Sequence, residues 1–333
     1  MYGTISVGIA YIAQRNKSKG LVLLSYLVCV FFWGLRKDIG FDYVGYVTIF
    51  RDIQYNASSY VELGYFFLNK MFISFYDGYI YVLFLSSAIT FGFLFYALCK
   101  YKILWQGLLY SLVFQFQFMA ANQVRQAMAI AVFLSFVHLL QHKQYIKYSI
   151  CVLLTAFLVH ASAIILIVGI PLSFIRINRY VACIIVIIVY IAYLKGMWSS
   201  FGNLLFSMLP IPEVYANYLL TDRIFGENVG FSIVQLFNVG MGIYILWNKT
   251  SVPNVIATLY FFGLLSYIIF VEYHLFFRMS FYISYLNILA ISIICKRHPR
   301  RTQIVSFISV MFYLLICCQS TNMHGIIPYQ SIL

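Results

Sequence analysis

The sequence predicts an all-α, polytopic integral membrane protein with about 10–12 transmembrane helices, and three observations predict it. First, 63% of the 333 residues are hydrophobic and 20% aromatic, whereas only 9% are charged. An ordinary soluble domain carries about 25% charged and about 45–50% apolar residues, so too few charges are present to cover a globule, and a soluble enzyme is excluded. Second, the apolar residues gather in long runs. At about 20 residues per span plus short loops, a chain of this length accommodates ten to twelve of them. Third, the charges are unevenly distributed between the two sides that those spans define.

In chain order the apolar runs fall at about 1–14, 21–35, 79–99, 103–121, 123–140, 147–174, 180–197, 230–247, 254–271, 275–295 and 302–318. The first is short and is followed by Arg15, Lys17 and Lys19. It lacks the basic n-region and small-residue cleavage site of a signal peptide, so it is expected to stay as an outside-first segment. The run 147–174 would make a helix of about 42 Å, against a hydrocarbon core of about 30 Å. It therefore either tilts steeply or breaks near His160-Ala161-Ser162 into a broken or re-entrant hairpin. Folding back returns Arg176 and Arg179 to the cytoplasm, as the positive-inside rule requires. The stretch 62–76 is amphipathic, with Asn69 and Lys70, and is expected at the outer surface. No repeat or linker divides the chain, which predicts a single transmembrane domain over 1–333 with outer loops at about 36–78 and 198–229. The seven cysteines lie within or at the ends of apolar runs without a CxxC pair, so neither a disulfide framework nor a zinc site is expected.

With these spans, fourteen of the 22 Lys and Arg fall on the inner side, and all nine Asp and Glu fall on the outer side. Acidic residues contribute little to orientation, so their segregation points to chemistry outside the membrane. The net charge of +13 then reflects orientation and anionic lipid contact rather than nucleic-acid binding.

Three outward clusters carry residues fit for chemistry. The first loop holds Arg36, Asp38, Asp42 and Tyr43, then Glu62 and Tyr65. Aromatic faces stack on sugars, carboxylates accept hydroxyl hydrogen bonds, and Arg pairs with phosphate; the same residues also suit an interfacial loop of snorkelling cations and Tyr anchors. The second is Asn122-Gln123-Val124-Arg125-Gln126, at the outer turn of a helix hairpin. Arg125 there either snorkels or meets an anionic lipid headgroup. His160, at the proposed break, is either a hydrogen-bonded structural residue or a proton-transfer group. The third cluster holds Glu272, and His274, Arg278 and Tyr282 share one helix face by their i,i+4 spacing. Arg278, a turn inside its span, pairs with a carboxylate or with an anionic ligand. His138 and His142 have a metal pair's spacing but lie at the inner end of their helix with no carboxylate, so no metal is expected there. No P-loop, GxSxG, HExxH or dinucleotide fingerprint is present.

In order, Arg36-x-Asp38-x-Gly40-x-Asp42-Tyr43-x-x-Tyr46, Glu62-x-Gly64-Tyr65, Arg125-Gln126-x-x-Ala129, His160-x-Ser162, Arg278 in an Arg-Met-Ser-Phe-Tyr stretch, and Pro328-Tyr329-x-Ser331 resemble the EpsG family of polysaccharide repeat-unit polymerases, relatives of the Wzy O-antigen polymerases. The resemblance covers nearly the whole chain. It implies a bacterial inner-membrane glycosyltransferase whose active site faces the periplasm. Its donor and acceptor would be undecaprenyl-pyrophosphate-linked oligosaccharides, its product O-antigen, capsule or exopolysaccharide, and its partners the lipid bilayer and a separate chain-length regulator protein. A pyrophosphate-activated donor needs no cofactor, nucleotide or metal. Transition-state charge on the pyrophosphate calls for aimed cations, and Arg125 and Arg278 are the first candidates, with Arg36 third. His160 is the first candidate base, with Asp42 and Glu62 as alternatives. Arg36, Asp38, Asp42, Tyr43, Glu62, Tyr65, Gln126, Glu272, His274, Tyr282 and Tyr329 are the expected substrate-binding residues. The rival readings are a flippase or transporter of the same lipid-linked saccharide and a membrane O-acyltransferase or ligase-type glycan transferase.

Overall fold

A computed structural model describes residues 2–56, 61–198, 232–319 and 329–331, apart from the side chains of His274, Arg301, Cys318 and Gln319. The described chain is helical, as lipid demands of a backbone that must satisfy its own hydrogen bonds; the one bridge of β type joins Arg36 to Ser331. The helices are α1 (Tyr2–Asn16), α2 (Lys19–Gly34), α3 (Tyr43–Gln54), α4 (Leu63–Lys70), α5 (Gly78–Lys100), α6 (Leu104–Val113), α7 (Phe116–Asn122), α8 (Val124–Phe136), α9 (His138–Gln141) and α10 (Tyr145–Leu158). After a 3-10 helix, Ala161–Val168, come α11 (Gly169–Ser173), α12 (Arg179–Leu194), α13 (Ile233–Trp247), α14 (Asn254–Ile269), α15 (His274–Ser284), α16 (Leu286–Arg297) and α17 (Pro299–Gln319).

This is an all-α membrane protein. Gly78–Lys100, Val124–Gln141 and Leu275–Arg297 are long and apolar enough to cross a bilayer, and eight further apolar helices run 10–17 residues. Large apolar side chains face outward in stripes, as at Ile146, Ile150, Leu153, Leu154 and Phe157 on α10 and Ile184, Ile187, Ile188 and Ile191 on α12. Acyl chains, not water, are the solvent such stripes suit.

The chain forms two compact units, Val168–Ala290 and the remainder. In the unit containing residues 1–167 and 291–333, α5 packs against α2 and α8, and α1 against α2 and α6. The Ser25 hydroxyl donates to the Ser6 carbonyl at 2.8 Å, tying α1 to α2. The stretch 36–78, expected as an outer loop, carries the helices α3 and α4. Tyr43, Tyr46, Phe50 and Ile53 are buried along α3 at helical spacing, and the first three join Tyr65, Val82, Leu83 and Val124 in one apolar cluster.

Breaks in the helices follow identifiable residues. Gln115 sits at φ 60, in the left-handed region, between α6 and α7. The expected division of 147–174 is present: α10 stops at Leu158 and the 3-10 helix starts at Ala161. The Tyr148 hydroxyl donates to the Leu166 carbonyl at 2.7 Å, so the second leg folds back along the first.

In the unit Val168–Ala290, α12 packs on α13 and α14, and α14 also packs on α11 and α15. Gly263 permits the last contact, because a Cβ there would stand 2.7 Å from the backbone of Ile283 and Ser284. Small residues let membrane helices approach in this way. Apart from Trp198, the loop expected at 198–229 lies outside the described residues.

Candidate active site

The site begins with a close approach of two helices. Gly64, in the first turn of α4, lies so near the end of α10 that a Cβ would stand 2.4 Å from the Leu158 carbonyl oxygen. Glu62, the N-cap of α4, has extended backbone (φ −62, ψ 148) and therefore presents its side chain to the broken end of α10. A helix start has backbone N–H groups without intrahelical partners, and the Ala161 amide, first in the 3-10 helix, donates to Glu62 Oε1 at 2.8 Å. His160 Nδ1 lies 2.8 Å from the same oxygen. Arg125, in the first turn of α8, donates through Nη1 to Glu62 Oε2 at 2.5 Å.

One carboxylate thus gathers an imidazole, an amide and a guanidinium. Side-chain exposures of 12% for Glu62, 21% for Arg125 and 25% for His160 leave the group sheltered yet reachable. Burial by itself raises the Glu62 pKa, but hydrogen bonds from His160 and Ala161 and the Arg125 charge outweigh it and hold the carboxyl at about 2. An ionised carboxylate only accepts hydrogen bonds, so Nδ1 of His160 carries a proton and Nε2 is the acceptor of the neutral ring. The Arg125 guanidinium also lies over the Tyr65 ring, 5.6 Å from its centroid, a cation–π contact. Gly64→Ala should push α4 off Leu158 and draw Glu62 from His160. A displacement near 1 Å typically costs about 100-fold in rate, so activity should fall by about that factor at matched protein level.

Arg36 stands in a different environment. It is 1% exposed and donates through Nη1 to the Trp33 carbonyl at 2.6 Å, while Nε and Nη2 are buried with no partner among the described residues. Tyr46, Tyr65, Tyr43 and Tyr329 lie within its electrostatic reach, and Tyr46 and Tyr65 also lie within that of Arg125. Burial lowers the Arg36 pKa, with the tyrosines opposing it.

Two contacts fix the loop that carries Arg36. Gly40, at φ 98, brings the backbone against Asn122, whose Oδ1 accepts from the Phe41 amide at 2.6 Å. On the other side, residues 329–331 form a clasp. Lys37 N donates to the Gln330 carbonyl at 3.2 Å, and the Ser331 hydroxyl to the Leu35 carbonyl at 3.1 Å. The Tyr329 hydroxyl donates to the Phe32 carbonyl, and its ring stacks on Phe32 at 4.0 Å.

The structure therefore brings Glu62, Arg125 and His160 into one constellation, with Tyr65 beside it and Arg36 sharing its tyrosines. Asp38 is exposed at φ 53, Asp42 occupies the N-cap of α3, and Tyr43 and Gln126 are buried. Glu272, Arg278 and the fully buried Tyr282 belong to the unit Val168–Ala290, as does His274, whose side chain lies outside the described residues. At the opposite end of α8–α9, His138 uses both ring nitrogens, Nδ1 with the Ser135 carbonyl at 2.9 Å and Nε2 with Lys100 Nζ at 2.7 Å. Sequence reasoning missed the Ala161 amide; the signal was the break itself, since a helix interrupted in an apolar run must leave donors to satisfy.

A family model described as the EpsG family matches residues 19–331. Neither a curated protein nor a solved structure matches the chain.

Proposed function

The chain belongs to the EpsG family, a family of Wzy-like polysaccharide polymerases, and from that premise we propose that it joins undecaprenyl-pyrophosphate-linked repeat units at the periplasmic face of the bacterial inner membrane. The observation that carries the reading is the Arg125–Glu62–His160 constellation.

In the proposed reaction an acceptor sugar hydroxyl gives its proton to His160 Nε2 as its oxygen attacks the anomeric carbon of the donor. The bond from that carbon to the pyrophosphate oxygen breaks, and the lipid pyrophosphate departs with the electron pair. Direct displacement of this kind inverts the anomeric centre. Glu62 holds the ring by Nδ1 and stabilises the imidazolium that forms, the part a buried carboxylate plays behind a catalytic His. Arg125 in turn fixes Glu62. Charge on the leaving pyrophosphate needs preorganised donors. Arg125 is already offset by Glu62, whereas Arg36 has two donors unmatched, so Arg36 takes first place for that task. Asp38, Asp42, Tyr43 and Tyr65 suit the sugar side of the site. The donor arrives activated, so the step needs neither a nucleotide sugar nor a metal.

Deletion of the gene, followed by gel analysis of surface glycan, tests the reading: a ladder collapsing to a single repeat unit supports a polymerase. Loss of even that unit points to a flippase, and full-length chains refute both. The orientation rests on fourteen basic and no acidic residues on the inner face. Reporter fusions after residues 17, 144, 178, 249 and 299 should read cytoplasmic, and those after 45, 215 and 325 periplasmic. A periplasmic reading at 178 would contradict the outward-facing break at His160.

A further inference from the structure

The unit Val168–Ala290 carries a polar cluster that the reaction above does not use. Tyr190 and Tyr193 lie near the end of α12, Gln235 and Asn238 near the start of α13, and Tyr267 near the end of α14. Antiparallel packing brings these five to one end of the bundle. Asn238 Nδ2 donates to the Tyr267 hydroxyl at 3.1 Å, and Gln235 hydrogen-bonds the Tyr193 side chain. The rings of Tyr190 and Tyr193 stack with centroids 5.9 Å apart, and Tyr267 lies within electrostatic reach of both.

Two atoms of the cluster remain unmatched. Tyr190 is 9% and Gln235 8% exposed, yet the Tyr190 hydroxyl and Gln235 Oε1 have no hydrogen-bond partner among the described residues. Leaving such groups buried and unmade is costly, and a native structure that tolerates two together has a reason to keep them. In a helix bundle facing lipid, apolar side chains would fill the same space without that cost.

The chemistry of the cluster selects its ligand. The five residues offer phenols and amides and no formal charge, and Glu272, within electrostatic reach of Tyr193, adds only a negative one. An anion is disfavoured, which distinguishes this place from Arg36. A group that donates and accepts at once, and lies flat on aromatic faces, is a sugar ring with free hydroxyls. We propose that this end of the unit is a saccharide subsite that holds a neutral sugar of the lipid-linked repeat unit. The proposal rests on the polymerase reading, and it assigns substrate selection to residues remote in sequence from His160, Glu62 and Arg125.

The test uses the full-length protein in lipid nanodiscs, titrated with oligosaccharide released from the cell's own surface glycan and followed by saturation-transfer NMR. Tyr190→Phe is the informative variant because it removes only the unmatched hydroxyl. A merely structural role predicts equal or higher thermal stability and unchanged saccharide binding. The subsite predicts that stability but about tenfold weaker saccharide binding, with inorganic pyrophosphate binding unaltered. In turnover the same variant should raise KM for the lipid-linked acceptor and leave kcat in place. Gln235→Leu should weaken saccharide binding at least as much. Wild-type affinity in Tyr190→Phe, or no saccharide binding by the wild type, overturns the proposal. The binding assay needs no turnover, so the two readings fail separately. Saccharide binding lost in Tyr190→Phe, with full-length glycan in the gene deletion, sinks the polymerase and keeps the subsite. A collapsed ladder with unchanged Tyr190→Phe binding does the reverse.

Discussion

Arg36→Met should leave the protein folded in the membrane while cutting long-chain glycan synthesis about 100- to 1,000-fold, the usual effect of removing one donor aimed at developing charge. The side chain is 1% exposed, and two of its donor nitrogens are unmatched. For stability alone this is a poor choice, since a well-packed apolar replacement for a buried charged group is often neutral or stabilising. Only the Nη1 bond to the Trp33 carbonyl is lost from the resting structure. A stability gain or no change together with lost polymerisation marks Arg36 as an anion ligand. Arg36→Lys should restore little, because an ammonium lacks the planar fork that suits a pyrophosphate. Full-length chains from Arg36→Met at matched expression would remove Arg36 from the mechanism and return the leaving group to Arg125.

Glu62→Gln should cost about 100- to 10,000-fold in polymerisation, within the range for losing a general base or the carboxylate that fixes its tautomer. An amide in place of the carboxylate cannot accept from Arg125, His160 and Ala161 together with both oxygens. Arg125 then sits partly buried without its counter-charge, and the His160 ring loses the acceptor that orients it. His160→Ala should fall in the same range, and the double variant should be no worse than either single one, since residues that act as a unit are not additive. Additive losses would separate the two roles. His142→Ala should change nothing measurable. The low Glu62 pKa also links to stability: a carboxyl held at about 2 contributes fully above the ordinary carboxylate range. The contribution declines as pH falls from there towards 2. Wild-type thermal stability should therefore drop between pH 5 and pH 3, and Glu62→Gln should lose that part of the drop. Equal pH dependence in both proteins would show that the carboxylate is not charge-stabilised.

The sequence by itself determined the solvent, the all-α fold class and the point where one helix breaks. Composition excludes water as the main solvent, because charge is too scarce to cover a surface. An apolar run of 28 residues is too long for one span, so a break was expected where His160, Ala161 and Ser162 interrupt it. The pieces carrying Glu62, Arg125 and His160 were also legible as candidates. Their meeting was not, since Glu62 is 63 residues from Arg125 and 98 from His160. A single sequence gives periodicity within an element but no distance between elements. Glu62 reads as a sugar ligand until Gly64 is seen against Leu158 and both carboxylate oxygens are found engaged. The helix Tyr43–Gln54 was hidden in an expected loop, where only 62–76 read as amphipathic, because its stability comes from burying one face against α5, and short helices gain most of theirs from such packing. Arg36 shows the same limit. At a helix end an arginine reads as a snorkelling cation, and only the tertiary fold, bringing Tyr46, Tyr65 and Tyr329 within electrostatic reach, leaves two of its donor nitrogens buried and without a partner among the described residues.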